Sequence, residues 1–247
     1  MKKATLFLII IILFLSTGVS FSQIYVKLGG GYNVDFNSMN IGTNIIISNS
    51  GVYNYEAVTG SFGKGPSILG TLGYNFSSYL AGELGLIYKL PVEFEETLQA
   101  VSSYTAKNTI TGSFFGFSPS IVISAPLDNV KPFIKLGLLV ALPATEYELN
   151  DSEGNTTKGV FGGSVDFGLT GAAGILVPIS TQISINAEID FVSFTWKPDE
   201  VEVTDIDGTK EVIKLEHEWT SNDGNRAGPS FIPFSNLGFS AGIQLGF

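Results

Sequence analysis

The 247-residue chain has no cysteine, one histidine and 15% charged residues, and after its first fifteen residues it has no apolar run resembling a membrane-spanning helix. Each shortage excludes something. Without Cys there is no disulfide and no lipid-modified N-terminal cysteine, so packing or the surroundings must stabilise the fold. Acids outnumber Lys and Arg by 23 to 13, and this excess repels phosphate backbones and argues against nucleic acid as a partner. The longest uncharged run, Asn108 to Leu127, is broken by Gly, Ser, Thr and Pro119. If the chain enters a membrane, it does so as strands.

What is present begins with MKKATLFLIIIILFLSTGVSFSQ, in which Lys2 and Lys3 precede an apolar run from Leu6 to Leu15 and small residues follow. That order predicts a secretory signal peptide over 1–22, cut after Ser22, and one domain over 23–247. The apolar core is short against the about 20 residues of a spanning helix, which disfavours a retained anchor. Removing the leader takes away two Lys and no acid, so the formal net charge moves from -10 to -12.

The other end, GFSAGIQLGF, alternates Phe239, Ala241, Ile243, Leu245 and Phe247 with Gly238, Ser240, Gly242, Gln244 and Gly246, and stops there. In water it would be an unfinished edge. Seven further segments alternate in the same way, starting at Ile24, Ser67, Tyr79, Ser113, Pro132, Ser164 and Gln182. In the third, the even positions from Leu80 to Phe94, including Val92, form the apolar stripe, and Ala81, Glu83, Gly85 and Lys89 face the other way. The second face of most segments is Gly, Ser, Ala, Asn and Thr. A soluble sandwich would expose Lys, Glu and Thr there instead.

Connections alternate in length: short ones at Phe76–Ser78, Pro126–Asn129 and Pro178–Thr181, long ones at Asp35–Pro66, Glu95–Gly112, Ala144–Gly163 and Lys197–Phe234. The pattern predicts an all-β fold: an eight-stranded antiparallel up-and-down transmembrane β-barrel with short periplasmic turns and long extracellular loops. The last strand then pairs with the first, and its apolar face meets lipid. From Gln23 to Phe247 the chain resembles the small eight-stranded outer-membrane proteins of the OmpA, OmpX and OmpW type. The resemblance implies a place in the outer membrane among lipid and lipopolysaccharide. It also implies that Phe239, Ile243, Leu245 and Phe247 are the signal read by the barrel-assembly machinery.

Charges on the inward face are Lys27, Lys89 and Lys135 with Glu83, Asp166, Glu188 and Asp190. Buried charges need partners, and an eight-stranded barrel is just wide enough for side chains to fill. A lumen charge network is therefore expected, and a gated cation pore is the competing reading. Enzymatic chemistry would require a nucleophile and base, but the single His217 sits in KLEHEW, which reads as half of a hairpin turning at Asp207-Gly208. No enzyme, cofactor or metal site is expected. GSFGKGPS lacks the spacing of a phosphate loop and DIDG that of a calcium hand; turns explain both. The last long loop carries nine acids, Asp199, Glu200, Glu202, Asp205, Asp207, Glu211, Glu216, Glu218 and Asp223, against four basic residues. It offers a contact for an extracellular protein or for divalent ions bridging to lipopolysaccharide.

Two functions fit the sequence. One is a monomeric structural or surface-interaction barrel of the cell envelope. The other, implied by the OmpW-type resemblance, is a porin-like or lateral passage for small apolar solutes, for which inward Leu69, Ile87, Phe133 and Leu139 would matter.

Overall fold

The computed structural model describes residues 23–36, 38–47, 52–100, 104–125, 127, 129–215 and 231–247. The expected leader and the stretch 216–230, with His217, lie outside them. The strands are, in chain order, β1 (Ile24–Asp35), β2 (Met39–Ile47), β3 (Tyr53–Gly60), β4 (Gly65–Asn75), β5 (Leu80–Gln99), β6 (Thr105–Ser124), β7 (Lys131–Asp151) and β8 (Thr156–Gly162). They continue with β9 (Asp166–Pro178), β10 (Ile183–Ser193), β11 (Thr195–Trp196), β12 (Glu200–Thr204), β13 (Lys210–Lys214), β14 (Ile232–Pro233) and β15 (Asn236–Gly246).

Eight of these strands close a cylinder in the order β1-β4-β5-β6-β7-β9-β10-β15, and each neighbouring pair is antiparallel. The seam is the β1–β15 pairing, continuous from Tyr25 opposite Gly246 to Asp35 opposite Asn236. The C-terminal strand therefore has no free edge within the barrel. At one end Phe76 and Ile179 donate backbone hydrogen bonds to Leu80 and Ile183, and the hydroxyls of Ser77 and Ser180 accept from the amides of Leu80 and Ile183. These tight turns fix the register of β4–β5 and β9–β10.

Alternation sorts the side chains. Leu28, Ile68, Leu72, Leu84, Leu136, Leu138, Ile189 and Ile243 all stand on the outer face and are exposed. Tyr32, Tyr88, Phe115 and Phe167 lie toward the long-loop end of this belt, and Phe76, Tyr79 and Phe247 toward the short-turn end. An apolar band with an aromatic girdle at each rim is what a lipid bilayer demands of a barrel wall.

Three strands run well past that band. β5, β6 and β7 have 20, 20 and 21 residues, against the about 9–11 that cross a membrane. Above the band β5 leaves β4 for β2, and β7 leaves β9 for β8, so the sheet continues as a curved collar in the order β3-β2-β5-β6-β7-β8-β12-β13. Much of what the sequence presents as long loops is therefore paired strand. The expected hairpin turning at Asp207-Gly208 is β12–β13, where Gly208 takes a φ of 82°.

A register shift between Lys89 and Val92 corrects the reading of the third segment. The extra residue inverts the alternation, so Phe94 is buried inside rather than on the outer stripe and Val92 packs against the same inner core. Beyond the shift the outer face carries Glu93, Glu95, Glu146 and Glu148 beside Val160, with Lys107 bonded to Glu95 at 2.6 Å and Lys158 to Glu148 at 2.8 Å. The bulge is where the wall changes from a lipid-facing to a water-facing surface.

Candidate functional site

The lumen is filled on three successive levels. At the short-turn end Tyr25, Ala81, Val122 and Phe133 form a small apolar cluster. Above it lies the ion layer. Glu83, 3% exposed, is in direct contact with Lys27, accepts from the Tyr25 hydroxyl at 2.8 Å and lies 3.8 Å from Lys135. Lys135 continues to Glu188 at 3.3 Å, and the Ser240 hydroxyl donates to the same Glu188 oxygen at 3.3 Å. Lys89 donates to the Gly65 carbonyl at 2.7 Å, and it shares with Asp190 the lining of a cavity of about 60 Å³ immediately above.

Three lysines thus face three carboxylates, and the layer is formally neutral. The pairing follows from register: Lys27, Glu83, Lys135 and Glu188 sit on inward positions of four different strands, where the narrow cylinder brings their ends together. Asp166 stands apart. It opens β9 opposite Ala141 at the long-loop end, is only partly buried, and accepts the Phe167 amide at 2.7 Å. Of the seven charges expected in one network, six line one region and Asp166 does not join them, because its register lifts it to the rim.

The third level is an aromatic plug that the alternation of the strands does not announce. Phe94, Phe114, Leu139, Val192 and Phe194 point inward from or next to barrel strands, and Phe62, Trp196 and Phe234 are added by the connections. Phe194 and Phe234 are stacked at 5.1 Å, while Phe62 meets Phe94 edge-on at 4.9 Å and Phe114 meets Phe194 edge-on at 5.0 Å. A latch fixes the two connecting segments over the mouth. The Phe62 amide donates to Pro233 O at 2.9 Å, and the Ser61 hydroxyl, fully buried, donates to Ser235 O at 2.7 Å. Gly63 passes so close to the Phe234 carbonyl that no Cβ fits there. The stretch GSFGKGPS is thus a turn, as its residues indicate, and also the clasp of the plug.

Above the plug the collar's inner face opens to solvent. Tyr147 lies over Gly159 of the neighbouring strand and against Phe161, with ring centroids 5.8 Å apart. Of the expected assembly signal, Phe239, Ile243 and Leu245 are on the outer face of β15, and Phe247, which follows it, is exposed too.

A closed antiparallel cylinder with an apolar belt, two aromatic girdles and a filled interior defines an outer-membrane type of β-barrel. The chain belongs to the family described as the outer membrane protein beta-barrel domain, whose profile matches residues 6–209. Its place is therefore the outer membrane, with the short turns periplasmic and the collar extracellular. No curated protein matches the sequence. Among solved structures it is similar to the neisserial surface protein A, NspA, with 13% identity over 91% of this chain and 97% of that one and a TM-score of 0.43. Ail, the attachment invasion locus protein of Yersinia pestis, solved with the heparin analogue sucrose octasulfate, has 11% identity over 90% and 99% and a TM-score of 0.37. The outer membrane protease OmpT from Escherichia coli has 10% identity over 94% and 99% and a TM-score of 0.33. At such identities and scores these proteins carry no activity over to this chain.

Proposed function

We propose that the protein is a lumen-sealed barrel that anchors an extracellular β-collar for contacts at the cell surface. The observation that supports this most is the filling of the lumen on three levels, apolar, ionic and aromatic, with the collar rising directly from the barrel wall. A formally neutral ion layer needs no mobile counter-ion. Leu139 belongs to the plug, Ile87 packs against it and Phe133 belongs to the lower cluster, so these residues do not form a continuous apolar track for a solute. Catalysis has no part in this reading, and the single His217 lies outside the described residues.

In the same reading residues 1–22 direct export and are removed, 23–247 form the mature monomeric barrel, and the C-terminal Phe239, Ile243, Leu245 and Phe247 engage the assembly machinery. The acidic outer face of the collar, with Glu93, Glu95, Glu146 and Glu148, stands next to the belt, where divalent ions would bridge it to lipopolysaccharide, and an extracellular protein would dock higher on the collar. Single-channel recording in a planar bilayer tests the sealed lumen. The reading predicts a silent bilayer; stable openings that change on Glu188→Gln would replace it with the porin-like alternative.

A further inference from the structure

Between the plug and the open end of the collar lies a cleft of about 470 Å³. Ile41 of β2, Ile110 of β6, Tyr147 of β7 and Phe161 of β8 form its wall, and Phe62 and Ile232 of the latched segments form its floor. Its size falls in the range of small-molecule sites, which are concave, mostly apolar and supplied with a few polar groups. The polar groups here are the amides of Asn40 and Asn108 and the Tyr147 hydroxyl. No lysine, arginine, aspartate or glutamate is among the described residues that line it.

That chemistry selects a ligand class. The nearest carboxylate, Glu96, is already engaged by the Asn108 amide and the Thr43 amide, so it offers a cation little, and an anion would shed water and meet no opposite charge. An uncharged apolar molecule meets neither obstacle. The Asn108 side chain adds direction: its amide nitrogen donates to Glu96 at 2.8 Å, which fixes the amide's orientation. Its oxygen is shielded from water and has no partner among the described residues. A ligand that parts the side chains around that oxygen and brings up an N–H or O–H group would satisfy it. Burial raises the Tyr147 phenol above its ordinary range, so it remains a neutral hydroxyl in the same wall.

We infer that this extracellular cleft binds an uncharged, mainly apolar small molecule carrying a hydrogen-bond donor. The plug forms the floor, so the molecule is held at the surface and does not pass through the barrel. The inference goes beyond the anchoring role and depends on the collar, not on whether the lumen conducts.

The test uses the full barrel refolded in detergent and two dyes that share one ring skeleton: phenylnaphthylamine, uncharged with one N–H donor, and anilinonaphthalenesulfonate, which adds a negative charge. Partition into micelles rises linearly with dye, whereas the cleft adds a saturable component of one dye per chain. Phenylnaphthylamine fluorescence is expected to saturate, and the sulfonate to bind at least about tenfold more weakly. Ile41→Trp, which fills the cleft, is expected to abolish the saturable component, and Asn108→Leu to weaken it about fivefold. Phe161→Lys, which places a charge in the opposite wall, serves if Ile41→Trp does not refold; an unboiled gel band that runs faster than the boiled one reports folding for each variant. Purely linear uptake, equal binding of both dyes, or saturable binding that persists in a folded cleft variant would overturn the inference.

Discussion

The two inner halves of this barrel are filled by opposite chemistries. In the periplasmic half each charged filler, Lys27, Glu83, Lys135 and Glu188, belongs to a barrel strand and meets its partner at a fixed register. In the extracellular half three large fillers, Phe62, Trp196 and Phe234, are brought by chain outside the eight barrel strands and held there by a latch. Directional ion pairs need the rigid geometry that strands supply. Dispersion and apolar burial need only shape, so connecting segments can deliver them. A lumen can thus be closed by its wall at one level and by its loops at the next.

Removing one partner of the ion layer gives the largest expected effect. Glu83→Ala leaves Lys27 buried without a carboxylate, and Lys135 with Glu188 alone, and costs about 3–5 kcal/mol. Urea unfolding from lipid vesicles measures this; a cost below about 1 kcal/mol would mean that water reaches the layer freely. Phe234→Ala tests the other half. It removes the ring stacked on Phe194 and costs about 3 kcal/mol, at the low end for such deletions because the site can relax toward the open cleft.

The latch comes next. Ser61→Ala removes the hydroxyl bonded to Ser235 O and should cost about 1 kcal/mol, with the first loss of amide hydrogen-exchange protection at Phe62. The smallest effect belongs to the collar's outer face. Lys158, fully exposed, holds the Glu148 carboxyl below its usual range mainly through their mutual hydrogen bond. The depressed carboxyl makes the pair complete above the ordinary Glu range and lost as pH falls through the lowered value. Lys158→Ala should leave the unfolding midpoint unchanged at neutral pH and move the Glu148 titration, followed by NMR, up toward the ordinary carboxylate range, with the Asn150 hydrogen bond retaining part of the depression.

Much of this was legible in the sequence. Eight alternating segments, their inward charges and the asymmetry of short and long connections lead to the closed barrel, because alternation at period two follows directly from strand geometry. What escaped depends on relations that alternation does not encode. Phe94 and Val92 read as outward because one extra residue after Lys89 reverses the phase. Pro91 was the available signal for that bulge, a weak one because Pro119 and Pro143 lie within β6 and β7 without a shift. The Ser61–Gly63 clasp reads as a turn because its partners at Pro233 and Ser235 are some 170 residues away. Asp166 faces inward from β9 as the other charges do from their own strands, but its height along the barrel separates it from them, and a face assignment contains no height.

The central claim is that the lumen is sealed from outside by the aromatic plug, and a chain without cysteine allows a direct test. Ser118→Cys places a thiol beside the cavity under the plug, and Glu146→Cys places one on the exposed collar. With a membrane-impermeant thiol reagent added to intact cells, the collar thiol should be labelled within minutes and the lumen thiol should stay unlabelled until the barrel is boiled. Labelling of the lumen thiol at the rate of the collar thiol would contradict the sealed barrel.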